Sequence, residues 1–226
     1  MNIPAWCGPP VFGGDWIELE GAEALTLAYE IGAATGGRDD LTTDARIERL
    51  RVRDIACYPG AMLIEAQALV GERRGLSNHL YGRWGLVTLD GASAVLHSLN
   101  ETEGTLSLET EAQVRDYQLL FCNTVRGGDG RFQIATMPEP LPWLPGATPD
   151  DAVLATISHP IRLSRNAEGG WKSEAPVLYG TTLFYAKFQI APNGMMEMVD
   201  DEPVDQVEVL PEDWGTPYRF PAGGTQ

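Results

Sequence analysis

Lysine is nearly missing from this chain of 226 residues. Lys172 and Lys187 are the only two, and the other fourteen bases are arginine. With 32 acidic residues against 16 basic ones, the net charge is −16. A typical domain is about a quarter charged, split nearly evenly between the signs. The imbalance here is therefore mainly a shortage of bases. Such a field repels phosphate over most of the surface, which speaks against nucleic-acid binding and against anionic membrane surfaces. A protein that mimics DNA would load extra acid onto its surface, so that reading is weakened and stays open. A cationic partner, or simple solubility, is favoured. The preference for arginine over lysine reads as codon bias in a GC-rich bacterial genome.

Cysteine is scarce too. Cys7, Cys57 and Cys122 form no CxxC motif, and an odd number leaves at least one thiol unpaired. That fits a reducing cytoplasm better than a disulfide scaffold. No apolar run reaches the roughly 18 residues of a membrane-spanning helix. Residues 1–10 contain no Lys or Arg, so no secretory leader is expected. There is no Walker A loop, no GxGxxG after a strand, no HExxH and no GxSxG. The commonest nucleotide, zinc-protease and α/β-hydrolase readings go with them. Enzymes whose sites assemble from distant residues remain.

Alternation and turn residues point to a β-rich chain. Residues 46–55 read as a strand with Arg49, Arg51 and Arg53 on one face and Leu50 and Val52 on the other. Further strands are expected at 61–70 and 79–91, with 71–78 as a connection. Asp90-Gly91 gives a hairpin signal into 93–99. Strands follow at 131–136, 153–164, 176–190, 195–199 and 206–210. The clearest helix is 111–125. Thr110 and Gln113 form a capping box, and Val114, Tyr117, Phe121 and Val125 recur at helical spacing. A second helix is permitted over 21–34, with Leu25 and Tyr29 on one face and Ala22 and Ala33 beside them. The fold class expected is α+β with antiparallel sheet dominant. One domain is expected, or else two β-rich halves (1–136 and 150–212) joined by the proline-rich segment 137–149. Residues 36–45 read as a polar loop and 213–226 as a flexible tail. His79-Leu80-Tyr81-Gly82 and Val177-Leu178-Tyr179-Gly180 form a faint echo, each placed at the opening of a long strand.

Two surface features invite a partner. Arg49, Arg51 and Arg53 make a local positive stripe that suits a phosphate or carboxylate. It also suits pairing with the stretch Glu197–Asp213, which has eight acids and no base. Trp143 lies in Pro-Leu-Pro-Trp-Leu-Pro, a segment able to dock as an extended peptide or to pack on its own domain. For an enzyme, the candidates are Cys57, His79 and His97, with Cys57 or His97 acting beside a nearby carboxylate. No ligand spacing supports a metal or cofactor. Asp200-Asp201-Glu202 lacks the alternating oxygens of a calcium loop and reads as solvated loop. The leading expectation is a non-catalytic cytoplasmic binding or accessory protein acting through protein contacts. A hydrolase with a dispersed site is second. A structural subunit of a phage or other large assembly is third.

Overall fold

The computed structural model describes residues 5–35, 45–136, 141–215 and 217–221. An irregular strap over 5–16 leads to β1 (Ile17–Leu19), α1 (Gly21–Thr35), β2 (Ala45–Asp54), β3 (Met62–Val70), β4 (Arg73–Gly82) and β5 (Gly85–Leu89). Two helices follow, α2 (Ser93–Asn100) and α3 (Glu111–Thr124). Three short strands come next: β6 (Arg126–Gly127), β7 (Gly130–Arg131) and β8 (Gln133–Ile134). Then come α4 (Asp151–Ile157), β9 (Arg162–Arg165), β10 (Trp171–Tyr179), β11 (Thr182–Ile190) and β12 (Met196–Gln206). The described chain closes with β13 (Asp213–Gly215) and β14 (Tyr218–Phe220). The class is α+β, with 41% strand, antiparallel sheets and four helices among the described residues.

One sheet runs β1-β2-β3-β4-β14-β13, with β5 also on β4. The other runs β12-β11-β10-β8, with β9 also on β10. β6 and β7 form a small ribbon. The main core joins Leu63 and Leu80 of the first sheet to Leu96 and Leu99 of α2, to Val114, Tyr117 and Leu120 of α3, and to Trp171 and Ile190 of the second sheet. The opposite face of the first sheet carries Leu50, Val52, Ile64 and Ala66 against Ile31 of α1.

The helix expected at 111–125 is α3, and its capping box is made: Gln113 N donates to Thr110 Oγ1 at 3.3 Å, and Thr110 N donates to Gln113 Oε1 at 3.0 Å. The second helix forms as α1. Several other segments differ from their sequence reading. Residues 73–78 belong to β4, because Gly71 at φ +60° turns the chain within two residues and brings Val70 opposite Arg73. Residues 93–99 are helix: Asp90 accepts from Ala92 N at 3.0 Å, and Leu96 and Leu99 bury at helical spacing. The start of 153–164 is also helical, since Asp150 caps it through Val153 N at 2.8 Å. Both Leu-Tyr-Gly echoes end a strand and enter a hairpin.

Residues 213–215 and 218–220 are no tail. They form β13 and β14, with Tyr218, Arg219 and Phe220 all buried. Residues 141–145 lie along 207–210, through Leu144 N to Glu208 O at 2.9 Å and Leu210 N to Pro142 O at 2.6 Å. The loop 36–44, residues 137–140 of the proline-rich segment, and residues 222–226 of the expected tail fall outside the described residues.

Candidate functional surface

The arginine stripe of β2 faces inward. The strap covers it with aromatic rings. Arg51 lies 3.9 Å from the Trp6 ring centre, Arg49 lies 4.9 Å from the same ring, and Arg53 lies 4.8 Å from that of Phe12. These distances are in the range of cation–π attraction. The acids that meet the stripe are local. Arg51 Nε donates to Glu65 Oε1 at 2.8 Å, and Arg49 pairs with Glu18. Arg53 Nη1 donates to Gly13 O at 2.7 Å. Pairing of the stripe with Glu197–Asp213 is therefore corrected: neighbouring strands place Glu65 and Glu18 in register with Arg51, and the pleat then fixes the partner. Arg49, Arg51 and Arg53 hold the strap and offer no open basic stripe.

Glu65 begins a buried network that extends well beyond β2. It accepts from Asn78 Nδ2 at 3.1 Å and from Val11 N at 3.0 Å, and Arg219 Nη2 lies 3.7 Å away. Arg219 also donates to Pro9 O at 3.0 Å and to Glu212 Oε1 at 2.9 Å. Glu212 takes a two-pronged grip from Arg131, with both bonds at 2.9 Å. Three guanidiniums thus share two carboxylates in the interior. A cleft of about 110 Å³ opens beside Arg131, Gln133, Thr181 and Glu212. Burial pushes the Glu212 carboxyl up, but Arg131 and Arg219 outweigh it and hold the group at about 2. A carboxylate so firmly ionised neither takes nor gives a proton near neutrality, so it is no general acid or base.

The enzyme candidates do not converge. Cys57 is fully buried in the main core with Leu63 and Leu80. Burial, then the nearby Asp116, raises its thiol well above the ordinary value, which is the reverse of nucleophile activation. His79 alternates with Leu80 along β4 and so faces the other side of the sheet, opposite Ile64. Its Nε2 meets Ser77 Oγ at 2.9 Å and its Nδ1 meets Thr88 Oγ1 at 3.1 Å. Burial lowers its pKa to about 3, so it stays neutral. The sheet separates it from Cys57. His97 sits half-buried on α2 against Phe121, with 5.7 Å between ring centres. Among the described residues, no three His, Cys, Asp or Glu side chains are grouped to hold a metal, and no helix is long and apolar enough to cross a membrane.

Trp143 is half-buried. It bridges to Val209 and packs on a small core that includes Leu141, Val153 and Leu178. That contact is intramolecular.

The surface that stands out is the outer side of α1. Helix α1 buries Ile31 and Thr35, with Ala24, Leu27 and Ala28 partly packed on the sheet. Leu25 and Tyr29, which helical spacing sets on one face, point to solvent at 73% and 80% exposure. Ile17 of β1 stands exposed as well, at 67%. A hollow of about 490 Å³ on one side of α1 is lined by Leu27, Val52, Met62 and Tyr81, with Glu23 and Glu30 at its rim. Another of about 480 Å³ lies on the opposite side, over Ala24, Ala28, Ile47 and Leu50. The chain matches no known protein family, no curated protein and no solved structure. α1 carries two acids, Glu23 and Glu30, and no base. Its apolar residues surround the helix, and a helix of that kind is normally covered on all sides.

Proposed function

We propose that this is a non-catalytic binding or accessory protein that docks a protein partner through α1 and β1. The observation that carries the reading is the exposure of Leu25 and Tyr29 on a helix whose other face already packs on the sheet. Tyrosine and leucine at i and i+4 form a compact anchor beside two hollows able to receive side chains, and tyrosine is prominent among residues that dominate binding energy. The partner is a protein with an apolar patch rimmed by Lys or Arg, because the charged residues lining the hollows are the acids Glu20, Glu23, Glu30 and Glu48 against the single base Arg49. A second copy is a poor occupant. It brings another −16 and sets acid against acid. Three free thiols fit a reducing cytoplasmic setting.

The test places a photo-crosslinking residue at Thr26 and compares otherwise wild-type protein with a Leu25→Glu/Tyr29→Glu form in extract from the source organism. One partner with a basic surface, crosslinked by the first and lost by the second with folding intact, supports the reading. Equal capture by both forms sinks it. Crosslinking only to a second copy replaces the heterologous partner with self-association.

A further inference from the structure

β12 is the outer strand of the second sheet. One side pairs with β11, and among the described residues no strand pairs with the other. It is eleven residues long, and every residue from Glu197 to Gln206 is exposed. A long open edge presents unsatisfied backbone donors and acceptors, and proteins usually keep such edges short, covered, charged, or broken by proline and bulges. Here Pro203 removes one donor and the register slips at Val199 and Val204, so the regular stretches are short. This one combines two features. Glu197, Asp200, Asp201, Glu202 and Asp205 make it acidic, and among them only Asp200 has an ion-pair partner in the described residues, Lys187 at 2.7 Å. Met198, Val199 and Val204 are exposed at 41%, 46% and 37%, with Met195 at 53% just before the strand. Acid alone would only ward off pairing. Acid interleaved with soft apolar side chains suits a complementary strand.

A hollow of about 490 Å³ lies against the same strand, walled by Glu202, Val204, Tyr185 and His159. The His159 and Tyr185 rings meet edge to face, with 6.2 Å between centres. Arg162 also lines it, but stands opposite Glu174 across β9 and β10. Tyr185 Oη donates to Glu174 Oε2 at 3.3 Å, and Glu202, opposite Tyr185 in the register, is the carboxylate that lines the hollow. Strand addition of this kind takes affinity from backbone bonds and selectivity from pockets for alternate side chains.

We infer that the open edge of β12 receives an extended basic segment of a partner protein, in which Lys or Arg alternates with apolar residues and one cation enters the hollow beside Glu202. A second copy of the same edge is disfavoured as occupant by like charges set opposite one another. The inference is independent of the α1 surface.

The probe is a labelled peptide of about ten residues alternating Lys and Val, set against peptides alternating Lys with Gly and Glu with Val. Binding is read by fluorescence anisotropy and amide hydrogen exchange on the full chain. The Lys-Val peptide is expected to slow exchange at amides within 197–202 and 204–206, the Glu-Val peptide to have no effect, and the Lys-Gly peptide to bind at least about tenfold more weakly, since it shares the charge but not the strand propensity. Glu202→Gln with Asp205→Asn is expected to weaken Lys-Val binding by about fivefold or more at low salt. Equal binding of the Lys-Val and Lys-Gly peptides overturns the inference. So does slowed exchange over α1 instead of β12, or no change anywhere.

Discussion

Glu212 shows how much one side chain can hold. Its two oxygens satisfy Arg131 and Arg219, both almost wholly buried. Replacing it with glutamine leaves two interior guanidiniums short of a counter-charge, and breaking a buried pair in this way costs about 3–5 kcal/mol. Exposed pairs such as Arg73 with Asp213 contribute little by comparison. The pH dependence has a definite sign. The Glu212 carboxyl is held at about 2 in the fold against 4.5 ordinarily, so its stabilisation is present above about 4.5 and is lost as pH falls towards 2. His79, at about 3 against 6.5, takes up a proton in the unfolded chain first, so stability starts to fall below about 6.5. Each group contributes a slope of about 1.4 kcal/mol per pH unit within its window. Urea unfolding of wild type and Glu212→Gln from pH 7 to pH 3 checks this. The variant is expected to be less stable at pH 7 and to have a shallower profile below pH 4.5. A variant that unfolds like wild type at pH 7 would show that the network is not stabilising.

Among the elements, α1 gives the sharpest contrast between sequence and structure. Its Leu25/Tyr29 spacing suggests a core-facing stripe, yet Ile31 is the side chain that is fully buried. Ile31→Ala is therefore expected to cost about 2–5 kcal/mol, while Leu25→Ser should change stability by less than about 0.5 kcal/mol. Thermal unfolding of the two variants decides it, and the reverse order would put the helix the other way round. What could be read in advance follows from this. α3 was legible because its cap, its spacing and its closing glycines all agree. β2 and β3 were legible as strands, but their partners were not. Glu65 and Gln67 alternate with Ile64 and Ala66 on β3, a local hint that one face is polar. Only the register shows that Arg51 meets Glu65. α4 was hidden because Asp150 lies among prolines and Val153–Ile157 is too short to show a period. The α1 surface was hidden for a different reason: a helix apolar on both sides does not announce which side the sheet takes.

Taken whole, the molecule draws its main core from both sides of the proline-rich segment, since Leu63 and Leu80 share it with Trp171 and Ile190. β13 and β14 then return to the first sheet from beyond the second. With such interleaving, we expect one cooperative transition in calorimetry, with matching calorimetric and van't Hoff enthalpies. Two resolved transitions would instead mark the halves as separate units.

The pairing of Arg219 with Pro9 spans 210 residues of sequence. During synthesis, the strap that covers the arginines of β2 is made long before the guanidinium that fastens it. Until then Glu65 and Glu212 lack that counter-charge, and β4 lacks a neighbour. A nascent chain that has not yet reached Arg219 therefore carries the strap without this fastening. A stop codon placed just before Tyr218 should be as harmful as a lesion in the core. The strand it removes is three residues long, but it closes the interior.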